Sequence, residues 1–181
     1  MVFKVLDKVA VFGDEVKLGQ FYSLLQEAFP EEERPPLASL RAHFADPLFR
    51  IQAYYQQDDS LLALLTWWEL AGHCYIEHFA VSAHSRGKGF GSQLLLSFMS
   101  GLEMPVVLEV EPPLTELAAR RIRFYESLGL SVLPVAYRQP AYRQGGKQPE
   151  MLLMSACPEV TLRDLDLLKA MMRDRVYGTT A

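Results

Sequence analysis

Hydrophobic and polar positions alternate at the start of this chain and then change to a helical period. Alternation over residues 3–12 predicts a first strand. Asp14 is placed to cap a helix in which apolar residues recur at helical spacing as far as Pro30. A charged break over 31–36 and a short helix over 37–44 follow. The N-terminal part is therefore predicted to be a strand followed by two helices.

The next apolar segments have the length and composition of strands. Runs over 49–56 and 61–70 are rich in apolar and aromatic residues, and the polar residues between them predict a hairpin. A turn at Ala71-Gly72 leads into a third strand over 74–81. Three strands joined by short turns are expected to form a meander.

The second half of the chain is predicted to alternate helices and strands. Its elements are a helix over 93–99, a strand over 106–110, a helix from Thr115 to Leu128, strands over 132–137 and 151–155, and a terminal helix. Thr161 and Asp164 have the spacing of a capping box for that terminal helix. This order predicts an α/β fold of the α+β type, in which helices cover a mixed, mostly antiparallel sheet.

Length, composition and charge narrow the class of protein. The chain fits a single domain over 1–181, with a core over about 1–156 and a C-terminal helix over about 161–177. The net charge of −4 gives no support to a nucleic-acid surface. There is no run of about 18 apolar residues to span a membrane and no signal-peptide core, so a cytoplasmic protein is expected. Cys74 and Cys157 lack the spacing of a metal site, and no metal is expected.

A glycine-rich segment, Arg86-Gly87-Lys88-Gly89-Phe90-Gly91-Ser92, follows the strand that ends at Val81. Glycines let the backbone approach a ligand closely, and the N-terminus of the next helix offers unpaired N–H groups to an anion. A phosphate or pyrophosphate is therefore the expected ligand. The glycine spacing is too short for a nucleoside-triphosphate loop, and it lacks the G-x-G-x-x-G order of a dinucleotide fold.

Two sequence motifs, separated by one helix and one strand, indicate which phosphate-bearing cofactor the glycine-rich segment binds. The first is Phe79-Ala80-Val81 with Arg86-x-x-Gly89-x-Gly91, and the second is Arg123-Phe124-Tyr125-Glu126-Ser127-Leu128-Gly129-Leu130. Together, and in an order of elements that is similar up to Ser155, they resemble the GNAT superfamily of acyl-CoA-dependent N-acetyltransferases. The resemblance implies acetyl-CoA as acyl donor, with its pantetheine arm on the backbone of Phe79, Ala80 and Val81. It also implies seven residues around the pyrophosphate: Arg86, Gly87, Lys88, Gly89, Phe90, Gly91 and Ser92.

The resemblance implies two catalytic residues as well. Tyr125 matches the superfamily's tyrosine near the cofactor sulfur and is expected to protonate the leaving thiolate. Members often use a carboxylate on the central strand to deprotonate the amine, and Glu77 is the first candidate, with Glu109 and Glu111 on the next strand as further ones. Many members carry an asparagine seven residues before the tyrosine, where this chain has Ala118.

The side chains of the central strand are assigned to faces by period-two alternation. Tyr75, Glu77 and Phe79 are expected on one face. Ile76, His78 and Ala80 are expected on the other face, so that His78 points away from Glu77.

The sequence does not identify the molecule that accepts the acyl group. The implied reaction moves an acetyl group from acetyl-CoA to a primary amine by direct transfer in a ternary complex; the alternative is a non-catalytic acyl-CoA-binding or sensing module. The acidic run over 31–33 favours a cationic acceptor, whereas Arg138, Arg143 and Lys147 favour an anionic one. A small-molecule amine is preferred to a protein acceptor, and the apolar face of the terminal helix is available for a homodimer.

Overall fold

The computed structural model describes residues 3–156 and 162–178. Its strands are β1 (Lys4–Leu6), β2 (Phe49–Tyr55), β3 (Leu61–Leu70), β4 (His73–Val81), β5 (Val106–Val110), β6 (Ser131–Val132), β7 (Tyr137–Arg138) and β8 (Glu150–Ser155). They form a sheet in the order β1-β2-β3-β4-β5-β8-β6, and β7 also pairs with β8. Within the described ranges β4 and β5 are the one parallel pair. The prediction of a mixed, mostly antiparallel sheet is confirmed.

Helices cover both faces of this sheet. They are α1 (Lys8–Phe12), α2 (Glu15–Ala28), α3 (Leu37–His43), α4 (Phe90–Ser100), α5 (Glu116–Glu126) and α6 (Leu162–Met171), and a π-helical turn, Met172–Val176, continues α6. Helices α1, α2, α3 and α6 pack on one face around the buried Trp68, and we call this the α2 face. Helices α4 and α5 pack on the other around the buried Leu95, and we call this the α4 face. Two apolar layers therefore enclose the sheet.

The prediction of a first strand over 3–12 is wrong beyond Leu6. The carboxylate of Asp7 accepts a hydrogen bond from the Ala10 N–H at 2.9 Å, and this cap starts α1. Only one residue of α1, Val11, is fully buried. The alternation over 8–12 therefore belongs to one helical turn and not to a strand.

The predicted strand over 132–137 is also divided. The structure has β6 at its start and β7 at its end, with Pro134 between them. Proline has no N–H to donate to a sheet, so the pairing with β8 is interrupted there. Other helix starts agree with prediction, since Asp14 caps α2 and Thr115 caps α5 through their side-chain oxygens. Thr161 and Cys157 lie outside the described residues.

The terminal helix buries its apolar stripe within its own chain. Leu165, Leu168, Met172 and Val176 are each at most 2% exposed in the core of the α2 face. The stripe therefore needs no second subunit to cover it, and the reason for expecting a homodimer is lost. No helix among residues 3–156 and 162–178 has the length and apolar content needed to cross a bilayer.

Candidate active site

The two central strands separate halfway along their length. β4 and β5 pair from Cys74 opposite Val106 to Ile76 opposite Leu108, and beyond that point no pairing joins them. β4 continues to Val81, held only by β3 on its other edge. Its backbone from Glu77 to Val81 thus presents an unpaired edge, and such an edge can accept a further extended chain.

A cavity of about 430 Å³ fills the gap between the separated strands. It is lined by residues of both strands, of the end of α2, of α5 and of the segment around Gln139: Glu27, Ala28, Phe29, Glu33, Ile76, Glu77, Phe79, Ala80, Val81, Arg86, Leu108, Glu109, Leu117, Arg121, Tyr125, Gln139 and Met151. Residues packed on the α4 face and on the α2 face both contribute. The gap therefore connects the two faces of the sheet.

A β-bulge at Glu77 changes which side chains face this cavity. Thr66 pairs with His78 and Trp67 pairs with Ile76, so Glu77 is the extra residue on β4. After the bulge, Ala80 packs on the same face as Tyr75, and Phe79 packs on the opposite one. The predicted alternation is therefore wrong for the second half of the strand.

His78 is the residue whose predicted orientation changes most. Its Nδ1 lies 3.8 Å from Glu77 Oε1, so the two side chains share a face and His78 does not point away. Both of its nitrogens are bonded, Nδ1 to the Thr66 hydroxyl at 3.2 Å and Nε2 to the Glu33 carbonyl at 2.9 Å. Burial lowers the pKa of His78, so the ring is neutral and holds the Glu33 turn against the sheet.

Glu77 holds a buried carboxylate beside the cavity. Its side chain is 1% exposed. The Trp68 indole N–H donates to Oε2 at 2.7 Å, and the Tyr142 hydroxyl donates to Oε1 at 2.9 Å. These two donors fix the carboxylate in one orientation while leaving it lone pairs for a proton.

Glu109, one strand away, is held by even more donors. The hydroxyls of Tyr75, Tyr137 and Tyr177 lie 3.0, 2.6 and 3.0 Å from its Oε1. Burial raises the pKa of the Glu109 carboxyl to about 7, although the three hydrogen bonds oppose the shift. The resemblance favours the central strand and so ranks Glu109 after Glu77, and local sequence does not show its three phenols, because they come from distant parts of the chain.

Tyr125 lies between this cavity and a second one on the α4 face. It is 9% exposed and lines both cavities. No hydrogen bond joins its hydroxyl to another residue in the described part of the chain. Burial raises the pKa of Tyr125, so the phenol keeps its proton at neutral pH and can serve as an acid.

The second cavity, of about 420 Å³, contains the glycine-rich loop. Gly87 and Gly89 have φ of 74° and 80°, which is the left-handed region that favours glycine. Gly89 is also the N-cap of α4, and no side chain of residues 3–156 or 162–178 caps the helix there. The first-turn N–H groups of α4 are therefore available to an anion at this cavity.

The residues predicted to bind the cofactor lie around two neighbouring cavities, with one exception. Phe79, Val81 and Arg86 line both cavities, Ala80 lines the first, and Gly87, Gly89, Phe90, Gly91 and Ser92 line the second. Lys88 is exposed and lines neither cavity. The Arg86 guanidinium bonds the Val81 carbonyl at 2.8 Å and Glu27 at 2.9 Å, so it ties the end of β4 to α2.

Arg120 is a residue of the second cavity that sequence analysis missed. It is exposed, lines the cavity beside the glycine loop, and forms no ion pair with any described residue. The spacing of α5 could have shown it, since residue 120 is one turn before Phe124 and Tyr125.

The acidic run and the basic loop, which gave opposite indications of the acceptor, pair with each other. Arg143 lies 3.5 Å from Glu31, and Lys147 lies 3.4 Å from Glu32. Of the acidic run only Glu33 lines the first cavity, and no ion pair involves it among the described residues. Arg138, the remaining basic residue, pairs with Glu150 at 2.9 Å, so the basic indication is lost and the acidic one is reduced to Glu33.

The glycine loop provides a test of backbone strain. Gly89→Ala is expected to lower the free energy of unfolding by about 1–2 kcal/mol, because alanine is strained at positive φ. Gly91→Ala is the matched control, since its new Cβ would meet Phe124 and Val81 at 3.6 and 3.7 Å, which are ordinary contacts. Urea unfolding of both variants measures the difference, and equal losses would contradict the assignment.

Comparison with known proteins agrees with this geometry. A family model described as the acetyltransferase (GNAT) family matches residues 18–130. A solved structure described as a GNAT-family acetyltransferase from Bacteroides thetaiotaomicron is 30% identical, with a TM-score of 0.86, and the match covers 99% of this chain and 100% of that one. No curated protein matches the sequence.

Two more distant structures share the fold. The ribosomal-protein-S18-alanine N-acetyltransferase from Escherichia coli is 18% identical, with a TM-score of 0.61, over 85% of this chain and 92% of that one. Spermidine N-acetyltransferase from Vibrio cholerae, solved with CoA and spermine, is 15% identical, with a TM-score of 0.59. The match covers 85% of this chain and 93% of that one. With the family match, the separated strands and the glycine loop, these findings show that the chain belongs to the GNAT family of N-acetyltransferases.

Proposed function

We propose that this protein transfers the acetyl group of acetyl-CoA directly to a primary amine of a small cationic molecule. The observation that carries the proposal is the gap between β4 and β5, which has buried carboxylates on the α2 face and an uncapped helix N-terminus on the α4 face. An amine and an anionic cofactor can thus meet from opposite faces of the sheet. No acyl-enzyme is needed, because both substrates reach one cavity.

The residues present fit the cofactor. The free edge of β4 from Glu77 to Val81 suits the amide groups of a pantetheine arm, as in strand addition. The glycine loop and the first turn of α4 suit a pyrophosphate, and Arg120 adds a positive charge beside them. Acetyl-CoA supplies the acetyl group as an activated thioester.

Two side chains perform the proton transfers in this proposal. Glu77 is the general base that takes a proton from the acceptor nitrogen, because a primary amine is protonated at neutral pH and must lose protons to become an amide. Tyr125 donates a proton to the departing sulfur from the α4 face, and its hydroxyl has no competing partner in the described part of the chain. The two groups belong to β4 and α5, on either side of the gap.

The charge of the first cavity favours a cationic acceptor. Both arginines that line it form ion pairs, Arg86 with Glu27 at 2.9 Å and Arg121 with Glu111 at 3.0 Å. The carboxylates of Glu33, Glu77 and Glu109 are left without a cation of their own among the described residues, apart from the neutral His78. An acceptor ammonium would provide one.

Gln139 adds a polar group for the same ligand. It is 5% exposed and lines the first cavity, and its Oε1 accepts no hydrogen bond from any residue that the structure describes. A buried carbonyl oxygen without a donor is costly, and an amine N–H would satisfy it. Polyamines belong in the acceptor screen for this reason, and because the Vibrio cholerae structure was solved with spermine.

The proposal is tested by incubating the purified full chain with acetyl-CoA and a panel of monoamines, diamines, polyamines and amino acids. Release of free CoA thiol together with acetylated amine is expected, with cationic amines preferred to those bearing a carboxylate. Tight CoA binding without transfer to any amine would support the alternative of a binding or sensing module.

Glu33 gives a prediction about acceptor binding. Burial, and then the charge of Glu111, raise the pKa of Glu33, and a cation in the cavity would relieve both effects. Glu33→Gln is expected to raise KM for a cationic amine by about tenfold while kcat changes little, a pattern of lost uniform binding. Glu32→Gln is the matched control, because Glu32 pairs with Lys147 and lies outside this cavity. Equal effects in steady-state kinetics would contradict the role of Glu33.

A further inference from the structure

Three phenols from three separate segments converge on the Glu109 carboxylate. Tyr75 belongs to β4, Tyr137 to β7, and Tyr177 follows the π-helical turn at the end of the described chain. The Tyr177 hydroxyl also lies 3.0 Å from the Tyr75 hydroxyl, and it accepts a hydrogen bond from the Gln139 amide at 3.1 Å. A carboxylate with so many donors is held in a fixed position where it lines the cavity.

The C-terminal segment supplies the last of these phenols. Residue 177 lies far beyond the family match, which ends at 130. Packing of α6 on the α2 face directs the chain here, and the Tyr177 N–H closes the π-helical turn on the Met172 carbonyl at 3.2 Å. π-helical turns are rare in proteins, and those that occur are often found at functional sites. Tyr177 itself is 6% exposed, and its ring packs on that of Tyr142, the partner of Glu77.

Acetyl transfer to an ammonium requires two protons to leave one nitrogen. The first must leave before the C–N bond can form, and the second leaves as the C–S bond breaks and the acetamide is completed. One of them goes to solvent, and the sulfur gains one. A site with two carboxylates can separate these roles, and Glu77 and Glu109 both line the cavity where the amine must enter.

We propose that the C-terminal segment completes the acceptor side of this active site, where Tyr177 positions Glu109 as a second proton acceptor beside Glu77. The inference rests on the proposed function and deepens it. Glu109 takes the proton of the incoming ammonium, which frees the nitrogen lone pair. Glu77 takes the second proton when the acetamide forms, while the Tyr125 proton goes to the sulfur. Of the two protons then held by the carboxylates, one restores the Tyr125 phenol and the other leaves to solvent, so the site is ready for the next turnover.

The surroundings of Glu109 support this division. Burial raises its pKa to about 7, so it exchanges a proton with an amine near neutral pH. Tyr137, Tyr75 and Tyr177 oppose that shift by their hydrogen bonds, and the charge of Glu77 adds to it. Tyr142 is the other titratable group of the cluster, and it donates to Glu77. Each of the three hydrogen bonds to Glu109 thus stabilises its charged form.

Tyr177→Phe tests the inference because it deletes one of those bonds and preserves the ring. The pKa of Glu109 is expected to rise by roughly half a unit or more. It is measured by carboxyl-carbon NMR of the full chain with labelled glutamate, and the Glu109 signal is assigned by its absence in Glu109→Gln. The acid limb of kcat/KM for an amine from the screen is expected to move to higher pH by the same amount. Tyr54→Phe is the control, since its buried hydroxyl bonds Gln52 and lies outside both cavities.

Three outcomes are distinguishable. A shift in both readouts for Tyr177→Phe, with neither moving in Tyr54→Phe, supports the inference. A shift in the NMR titration with an unmoved acid limb overturns it, because Glu109 would then be a structural carboxylate, and acetyl transfer itself would stand. An NMR titration that does not move overturns it as well, whereas absence of transfer to every amine defeats the proposed function instead.

Discussion

Glu77→Gln lowers kcat/KM for acetyl transfer by about 10²- to 10⁴-fold, the usual contribution of a general base. Glutamine keeps the shape of the side chain but cannot accept a proton at neutral pH. Its single oxygen can satisfy only one of the two donors, Trp68 and Tyr142, so stability falls by about 1–3 kcal/mol. CoA affinity, measured by calorimetry, stays within a few-fold because the β4 backbone is unchanged.

Glu69→Gln separates the catalytic effect from loss of a carboxylate in general. Glu69 lies on β3, is about one-third exposed and pairs with Arg50 at 3.1 Å, outside the first cavity. It is expected to lose less than about twofold in kcat/KM, because it does not line the cavity where the amine binds. Loss of its partly exposed ion pair lowers the free energy of unfolding by only about 0–1 kcal/mol. If the two variants retain similar activity, Glu77 is not the base.

Tyr125→Phe lowers kcat by about 10²-fold and leaves KM for the amine nearly unchanged, because the proton donated to sulfur is needed only as that bond breaks. Its hydroxyl bonds no other residue of the described chain, so its removal leaves no protein group unsatisfied. The free energy of unfolding is therefore expected to change by less than about 1 kcal/mol.

Steady-state kinetics and urea unfolding of Tyr125→Phe check both parts of this prediction. Tyr22→Phe is the control, since the Tyr22 hydroxyl donates to the Pro35 carbonyl and lines neither cavity. Full activity in Tyr125→Phe would refute its role as acid. A large loss of stability would instead assign the residue to packing.

The sequence predicts those parts of the fold and site that depend on local pattern. The glycine loop, the Thr115 cap and the hairpin of β2 and β3 each follow from a few neighbouring residues, and the structure has all three. The strand predicted over 3–12 fails because one side chain, Asp7, accepts a bond from the Ala10 N–H and starts a helix. A single cap can thus overrule a period of two.

The arrangement around the carboxylates could not be predicted from local pattern. One bulge at Glu77 moves the side chains of His78, Phe79 and Ala80 to the opposite faces of the sheet from those that alternation predicts. The sequence of the strand itself does not predict this bulge. The contacts of Glu109 join residues that are 28 to 68 positions apart. Arg86 matched a motif, yet it is bonded to Glu27, 59 residues away.

The most direct measurement follows acetyl-CoA and one cationic amine from the screen in a single reaction with the purified full chain. Mass spectrometry of the amine and titration of free thiol are expected to give equal amounts of acetylated amine and CoA. The Glu77→Gln, Tyr125→Phe double variant should bind CoA and give neither product above background. Thiol release without acetylated amine, or equal turnover by the double variant, would contradict direct transfer by these residues.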